Sequence, residues 1–417
     1  MKTQKYLDSK KLSIVLFVFM FVMYATVYMT KNMFSAAMAV IVENGVMTKS
    51  QTGLITAVFW LVYAPFQVVG GFAADKYSPY KLIVIGLVGI VLCNLIIYFN
   101  QSYGVILTAW TVNAMLQFGL WPGVFKIVST QTAPEIRGKA VFWLLLSTNV
   151  GLGLSMFVAS FVKKWQDNFI FSAIFGIVML VLFIVVYRIL EKRMTEKEMV
   201  APNSESKPEM EKTPMMPLAI ASGLTAMCII CLLRTSIDNG IKMMTPVMLM
   251  ESYDNLPAAI ATRLSTILVV FSVVGTFTSG FVKECITGNE AKAQIILFGL
   301  SIPILVITLF IGKISYIWIL LSLALVVGLV HGAAPFCQSF ASIRYDRYGR
   351  IGTVSGILNA AASVGNVLAS YVFAKMAEYM PWNKVVLFWM LIAAICVALC
   401  TGVLKRWTRF INNEIKL

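Results

Sequence analysis

The chain has 417 residues, 59% of them hydrophobic and 13% charged, with a mean hydropathy of +0.82. A soluble domain carries roughly 25% charged residues, so there is too little polar surface here for a protein facing water on every side. The formal net charge is +15, but the cations are scattered along the chain and form no single patch, which argues against a nucleic-acid partner.

The apolar residues fall in about twelve blocks, each near the length that spans a bilayer as a helix. In chain order these are 11–31 (the helix continuing to 44), 51–74, 81–100, 103–131, 138–162, 169–190, 217–250, 258–283, 291–312, 315–342, 351–377 and 384–404. Each must be helical, because hydrocarbon offers backbone N–H and C=O groups no partner. The expected fold is an all-α membrane protein: twelve transmembrane helices in two pseudo-symmetric six-helix bundles. Met1–Lys11 carries four lysines, and no small-residue cleavage site follows. The first block is therefore read as a retained span and not a signal peptide.

Alternate loops fall on alternate sides of the bilayer, and most Lys and Arg lie on the side holding both termini. By the positive-inside rule that side is cytoplasmic. The stretch from Glu191 to Lys212 mixes charge, Pro and Ser and has the composition of a mobile linker. The expected organisation is a bundle over 1–190, a cytoplasmic linker over 191–216 and a second bundle over 217–417. The seven cysteines lie within or at the ends of the blocks. Cys228-x-x-Cys231, on an apolar helix, reads as small packing residues and not as a metal or redox site. No metal and no cofactor is expected.

Two runs recur at one spacing. Gly71-Phe-Ala-Ala-Asp75 returns as Gly280-Phe-Val-Lys-Glu284, and Gly119-Leu-Trp-Pro-Gly123 returns as Gly328-Leu-Val-His-Gly332; both offsets are 209 residues (280 minus 71; 328 minus 119). A duplicated half in so apolar a chain is the mark of a secondary transporter built from parallel repeats, with its substrate site near the bilayer midplane. Gly71-x-x-x-Asp75-Lys76 falls after the second block and resembles the signature loop of the major facilitator superfamily. Asp75 there is expected to pair with a cation such as Arg137 or to sit near a helix N-terminus. Gly71, Asp75, Lys76, Arg137, Glu284 and Arg350 are the expected gating residues.

A narrower resemblance runs along most of the chain. Lys31-Asn-Met-Phe34 leading to Glu43-Asn-Gly45, Asp75-Lys-Tyr-Ser-Pro79, Gln117-Phe-Gly-Leu-Trp121-Pro122, Arg137-Gly138 and Ser147-Thr-Asn149-Val-Gly151 resemble the organophosphate:phosphate antiporters. So do Gly240 with Pro246, Tyr348-Gly-Arg350 and Ser355-Gly-Ile-Leu-Asn359. The resemblance implies exchange of a phosphorylated metabolite against phosphate, held by one Arg on the first helix and one on the seventh. Here the first of those positions reads Lys31 and the second Asp238, while a His of the fifth helix reads Thr148. The paired forks that suit a phosphate are thus missing from their usual places.

The residues themselves offer replacements. Arg234, Asp238 and Lys242 are spaced four apart and stack on one helix face. Ionisable groups at such depth are costly and face a bundle interior or a watery cavity. Lys31 and Lys126 add two more deep cations, and the surplus would attract an anion. His331, the only His, is read either as a packed hydrogen-bonding group or as a proton sensor. Tyr63, Asn113, Gln117, Thr148, Asn149 and Asn359 complete the expected substrate-binding set.

The expected function is that of a monomeric inner-membrane carrier of a small organic anion. It would work by alternating access, in exchange for phosphate or another anion. A proton-coupled symporter or exporter of a carboxylate or zwitterion is the alternative, and a transporter-like membrane sensor a further one. No enzyme is expected, because no Ser/His, paired-Asp or His/Glu metal constellation appears at useful spacing.

Overall fold

The computed structural model of the chain describes residues 3–144, 146–198, 215–254, 256–282, 288–345 and 351–412. Almost everything described is helix. Helices α1 (Lys10–Glu43), α2 (Lys49–Lys76), α3 (Pro79–Phe99), α4 (Tyr103–Leu116), α5 (Leu120–Gln131), α6 (Pro134–Leu144), α7 (Leu146–Ala159) and α8 (Asp167–Glu191) make up the first half. The second half holds α9 (Met215–Ser222), α10 (Leu224–Ser252), α11 (Ala258–Phe281), α12 (Glu290–Thr308), α13 (Tyr316–Gly332), α14 (Ala341–Ile343), α15 (Ile351–Val367), α16 (Phe373–Tyr379) and α17 (Trp382–Ile411). Among the described residues nine helical runs are long and apolar enough to cross a bilayer, and Leu146–Ala159 and Tyr316–Gly332 are shorter apolar helices. The chain is an all-α, multi-span membrane protein.

Several blocks that read as single spans are broken. A 3-10 turn at Gln117–Gly119 separates α4 from α5, and five-residue π-turns fall at Phe336–Phe340 and Leu368–Val372. Pro246 lies inside α10. It has no N–H, so the carbonyl of Lys242 loses its helical partner.

The chain divides into two compact units, and their border does not follow the midpoint of the sequence everywhere. The first holds Met1–Ile41 with Val58–Glu205; the second holds Val42–Ala57 with Ser206–Leu417. The hairpin from the end of α1 to the start of α2 thus packs within the second unit. Lys49 Nζ donates to Glu251 Oε2 and to the Ala377 carbonyl, both at 2.8 Å. The Ser50 backbone N–H donates to Glu378 Oε2 at 2.8 Å, and the Ser50 hydroxyl donates to the same oxygen.

The first unit carries the one departure from helix. Strand β1 (Thr3–Tyr6) pairs antiparallel with β2 (Thr195–Glu198), Thr3 opposite Glu198 and Tyr6 opposite Thr195. Within the expected linker Glu191 closes α8 and Thr195–Glu198 is a strand whose backbone pairs with the N-terminal residues; 199–214 lie outside the described residues. Leu7, fully buried, follows β1 and seals a core of Leu16, Met20, Leu87, Val124 and Phe183. Its N–H donates to the Gln131 carbonyl at 2.9 Å, and its carbonyl accepts from the Ser13 hydroxyl at 3.1 Å.

Glycines set the closest helix approaches in both units. A Cβ on Gly151 would stand 2.3 Å from the Ala25 carbonyl oxygen, and one on Gly365 would stand 2.3 Å from that of Leu232. Only a missing side chain lets α7 meet α1, and α15 meet α10, at that distance. The recurring Gly328 and Gly332 do the same on α13, with Gly332 against the Gly275 backbone of α11.

Candidate functional site: two buried charge centres

The first unit buries a cation. Lys31, within α1, is 5% exposed. Its Nζ lies 3.4 Å from the ring centroid of Tyr63, 4.5 Å from Trp60, 5.1 Å from Tyr28 and 5.7 Å from Phe59. Helical spacing builds this box. Tyr28 stands one turn before Lys31 on α1, while Phe59, Trp60 and Tyr63 share one face of α2. The rings brace one another, with Phe59 and Tyr63 stacked at 5.7 Å and Trp60 edge-on to Tyr63 at the same distance. Among the described residues no carboxylate pairs with Lys31.

Magnitudes decide what this box can do. A desolvated cation–π contact is worth roughly 2 kcal/mol. Removing an ammonium from water costs several kcal/mol even after relaxation. Ring faces hold the ammonium in place, yet they supply no negative charge and no hydrogen-bond acceptor.

Asn113 and Gln117 lie in the same unit. Gln117 Nε2 donates to Asn113 Oδ1 at 3.0 Å, and Asn113 Nδ2 is buried without a partner. Lys126 donates to the Ala74 carbonyl at the last turn of α2, which accounts for its ammonium within the unit. Arg137 Nη2 donates to the carbonyls of Thr130 at 3.3 Å and Thr132 at 2.9 Å, while its Nε is buried without a hydrogen bond. Thr148 and Asn149 sit half-buried on α7. Gly71, Asp75 and Lys76 close α2 as its last turns and do not form a loop; the side chains of Asp75 and Lys76 lie outside what is described, as do Glu284 and Arg350 altogether.

The second unit buries a carboxylate. Asp238 is 2% exposed on α10. Lys242 Nζ stands 2.7 Å from its Oδ1, off the direction of a hydrogen bond. Arg234 reaches its Oδ2 at 3.5 Å and His331 Nδ1 reaches the same oxygen at 2.7 Å. Two lone pairs would repel at that distance, so His331 Nδ1 carries a proton and donates. Lys242 Nζ lies 3.2 Å from the same ring nitrogen. Arg234 also donates to the Thr235 hydroxyl at 2.7 Å, while its Nε is buried without a partner. Arg234 and Lys242 flank the one carboxylate, with part of the Arg234 fork unspent.

The helix spacing of Arg234, Asp238 and Lys242 gave this ladder in advance. His331 on α13 was expected as a polar group, but its bond to a residue 93 positions away had no signal in the sequence. Asn239 donating to Asn366, a link from α10 to α15, was missed for the same reason. The rings around Lys31 were missed except for Tyr63. A signal existed in the Phe59, Trp60 and Tyr63 spacing beside an apolar helix holding a lone Lys. Asn359 is exposed on α15.

Residues 20–370 match the model of the Major Facilitator Superfamily. The chain belongs to that superfamily, and its fold is a transporter fold and not an enzyme fold. It is 27% identical over 160 residues to the membrane sensor protein UhpC of Escherichia coli (strain K12), a match covering 37% of this chain and 36% of that protein. It is 29% identical over 140 residues to a probable hexose phosphate transport protein of Chlamydia pneumoniae, covering 33% of this chain and 30% of that one. The matched regions thus span about a third of these relatives. In fold it resembles a bacterial homologue of the human lysosomal transporter Spinster, solved inward-facing and unoccupied. That likeness has a TM-score of 0.79 at 14% identity and covers 96% of this chain and 99% of that one.

Proposed function

We propose that this protein is a secondary transporter that moves a small organic anion across the membrane by alternating access, with Lys31 and Arg234 as the cations that recognise it. The observation that carries this reading is the Lys31 box: a buried ammonium gripped by four rings, with no carboxylate beside it among the described residues. An anion supplies what the rings lack. Neutralising a buried cation favours the occupied protein over the empty one, which is the physical basis for exchange with phosphate or another anion.

The relative named for hexose phosphate transport supports a phosphorylated substrate. The residues narrow this. Lysine is a point charge without the planar fork that grips two phosphate oxygens, and the Arg234 fork is partly engaged with Asp238 and Thr235. A monoanionic carboxylate or sulfonate therefore competes with a phosphate ester as the cargo. The Lys and Arg distribution supports a cytoplasmic side for both termini.

Uptake into proteoliposomes tests this reading. Anion loaded inside is expected to accelerate uptake of labelled anion, and Lys31→Ala to abolish it. Equal uptake with and without internal anion would overturn exchange. One observation favours a second reading. His331 donates to Asp238 beside two cations, an arrangement a proton-coupled carrier of a carboxylate or zwitterion would also use. Uptake driven by a pH gradient alone, and lost in Asp238→Asn, would select it. A UhpC-like sensor would bind the anion without turnover.

A further inference from the structure

A groove of about 380 Å³ runs along the outside of the second unit, where α9 and the start of α10 pass the last turns of α17. Ile220, Ile229, Leu399 and Val403 form its apolar walls, and Arg406 lines its end. Ile220 is 60% exposed and Ile229 44% exposed. In helices this apolar, such residues face lipid tails.

Two glycines shape the groove. Gly223 takes a left-handed φ of 81° between α9 and α10, which offsets the two helix axes. A side chain there would be strained and would strike Val403 Cγ2 at 2.2 Å. Gly402 forms an open stretch of the opposite wall, and a Cβ added to it meets nothing within 4 Å. Arg406 follows Gly402 by one helical turn, so its guanidinium stands at the mouth. Arg406 is exposed, with exposed Lys405 and Arg409 beside it. Among the described residues no carboxylate pairs with any of the three.

The first unit carries an internal control. A groove of about 410 Å³ lies between α1 and α8, lined by Ile14, Val18, Phe19, Val22, Met179 and Leu182. It lies between the first and last helices of its unit, as the second groove lies between α9–α10 and α17. The first is apolar throughout, and only the second ends in cations.

We propose that the α9–α10–α17 groove is a binding site for one anionic glycerophospholipid of the membrane, an acyl chain lying along Ile220, Ile229, Leu399 and Val403 with its phosphate on Arg406. The chemistry divides along the groove as it does along the lipid. A chain needs the dry walls, and a phosphodiester suits the guanidinium fork. Basic pockets between spanning helices on the cytoplasmic side select anionic headgroups in this way. A zwitterionic headgroup brings its own ammonium toward Lys405 and Arg409 and is disfavoured. The occupant would brace the Gly223 break at the start of α10.

Native mass spectrometry of the detergent-purified full chain, titrated with phosphatidylglycerol, tests the site. The expected result is one tightly held phosphatidylglycerol and weaker retention of phosphatidylethanolamine. Arg406→Gln is expected to weaken phosphatidylglycerol about fivefold, as removal of one surface cation should. Gly402→Leu fills the groove from an open position and is expected to weaken it at least as much. Val18→Trp, which fills the uncharged groove, should leave it unchanged. Equal affinity in the wild type, Arg406→Gln and Gly402→Leu overturns the proposal. So does equal affinity for the two lipids, or displacement of phosphatidylglycerol by millimolar soluble glycerophosphate, since a free-anion site needs no chain.

Discussion

In the first unit a buried ammonium rests against four aromatic rings; in the second a buried carboxylate is met by two cations and an imidazole. Both charges are removed from water, but by different means. Asp238 has the Lys242 ammonium and a His331 N–H each at 2.7 Å and the Arg234 guanidinium at 3.5 Å. Lys31 has neighbours that fix its position without neutralising it. Asp238 is thus paired within its own unit, whereas Lys31 is held in its unit by ring faces. The difference separates a neutralised charge from one held by ring faces alone.

Opposite responses to mutation would sharpen that separation. Lys31→Ala should reduce anion uptake by two orders of magnitude or more, because it removes the uncompensated cation on which binding depends. Lys31→Met should in addition raise the unfolding temperature, since an apolar group in the aromatic box has no desolvation cost. Thermal unfolding in detergent checks the sign, and a lowered midpoint would mean that Lys31 has a partner in the resting protein. Asp238→Ala should go the other way. It leaves Arg234 and Lys242 buried and unpaired, at a cost of about 3–5 kcal/mol. His331→Leu removes one charged hydrogen bond to that carboxylate and should cost about 1.5–3 kcal/mol. Trp60→Leu removes one ring face from Lys31 and should shift stability by only about 1 kcal/mol. If Trp60→Leu proved as damaging as Asp238→Ala, the rings would be the main support of the first unit and the contrast would fail.

Part of both centres was legible in the sequence. A lysine in an apolar helix can be found by eye, and so can three charges spaced four apart, because an α-helix sets which residues share a face. Lys126 was legible as a deep cation but not as a donor to the Ala74 carbonyl, since that contact depends on how α5 lies against α2. Arg137 was expected near Asp75, whose side chain lies outside what is described; that its Nη2 donates to the carbonyls of Thr130 and Thr132 had no signal in the sequence. A backbone acceptor has no residue type, so no motif announces it.

The larger organisation shows the same limit. The duplicated glycine runs pointed to two related halves, and Gly328 and Gly332 do sit at a close helix crossing. Nothing in composition assigned Val42–Ala57 to the second unit, where Lys49 meets Glu251 and Ser50 meets Glu378. A polar linker was expected from residue 191, and nothing in its composition announced the strand at Thr195–Glu198 paired with the N-terminus.

The sequence by itself determined the spanning helices, their duplication and the presence of charges deep within them. These are local consequences of a solvent that cannot bond a backbone and of a helix with fixed periodicity. Only the tertiary structure decided which rings surround Lys31, which imidazole reaches Asp238, and which end of α17 turns its arginine toward a groove. Those outcomes depend on the rotation of each helix about its own axis and on contacts between residues far apart in the chain. Neither is written in any local pattern of residues.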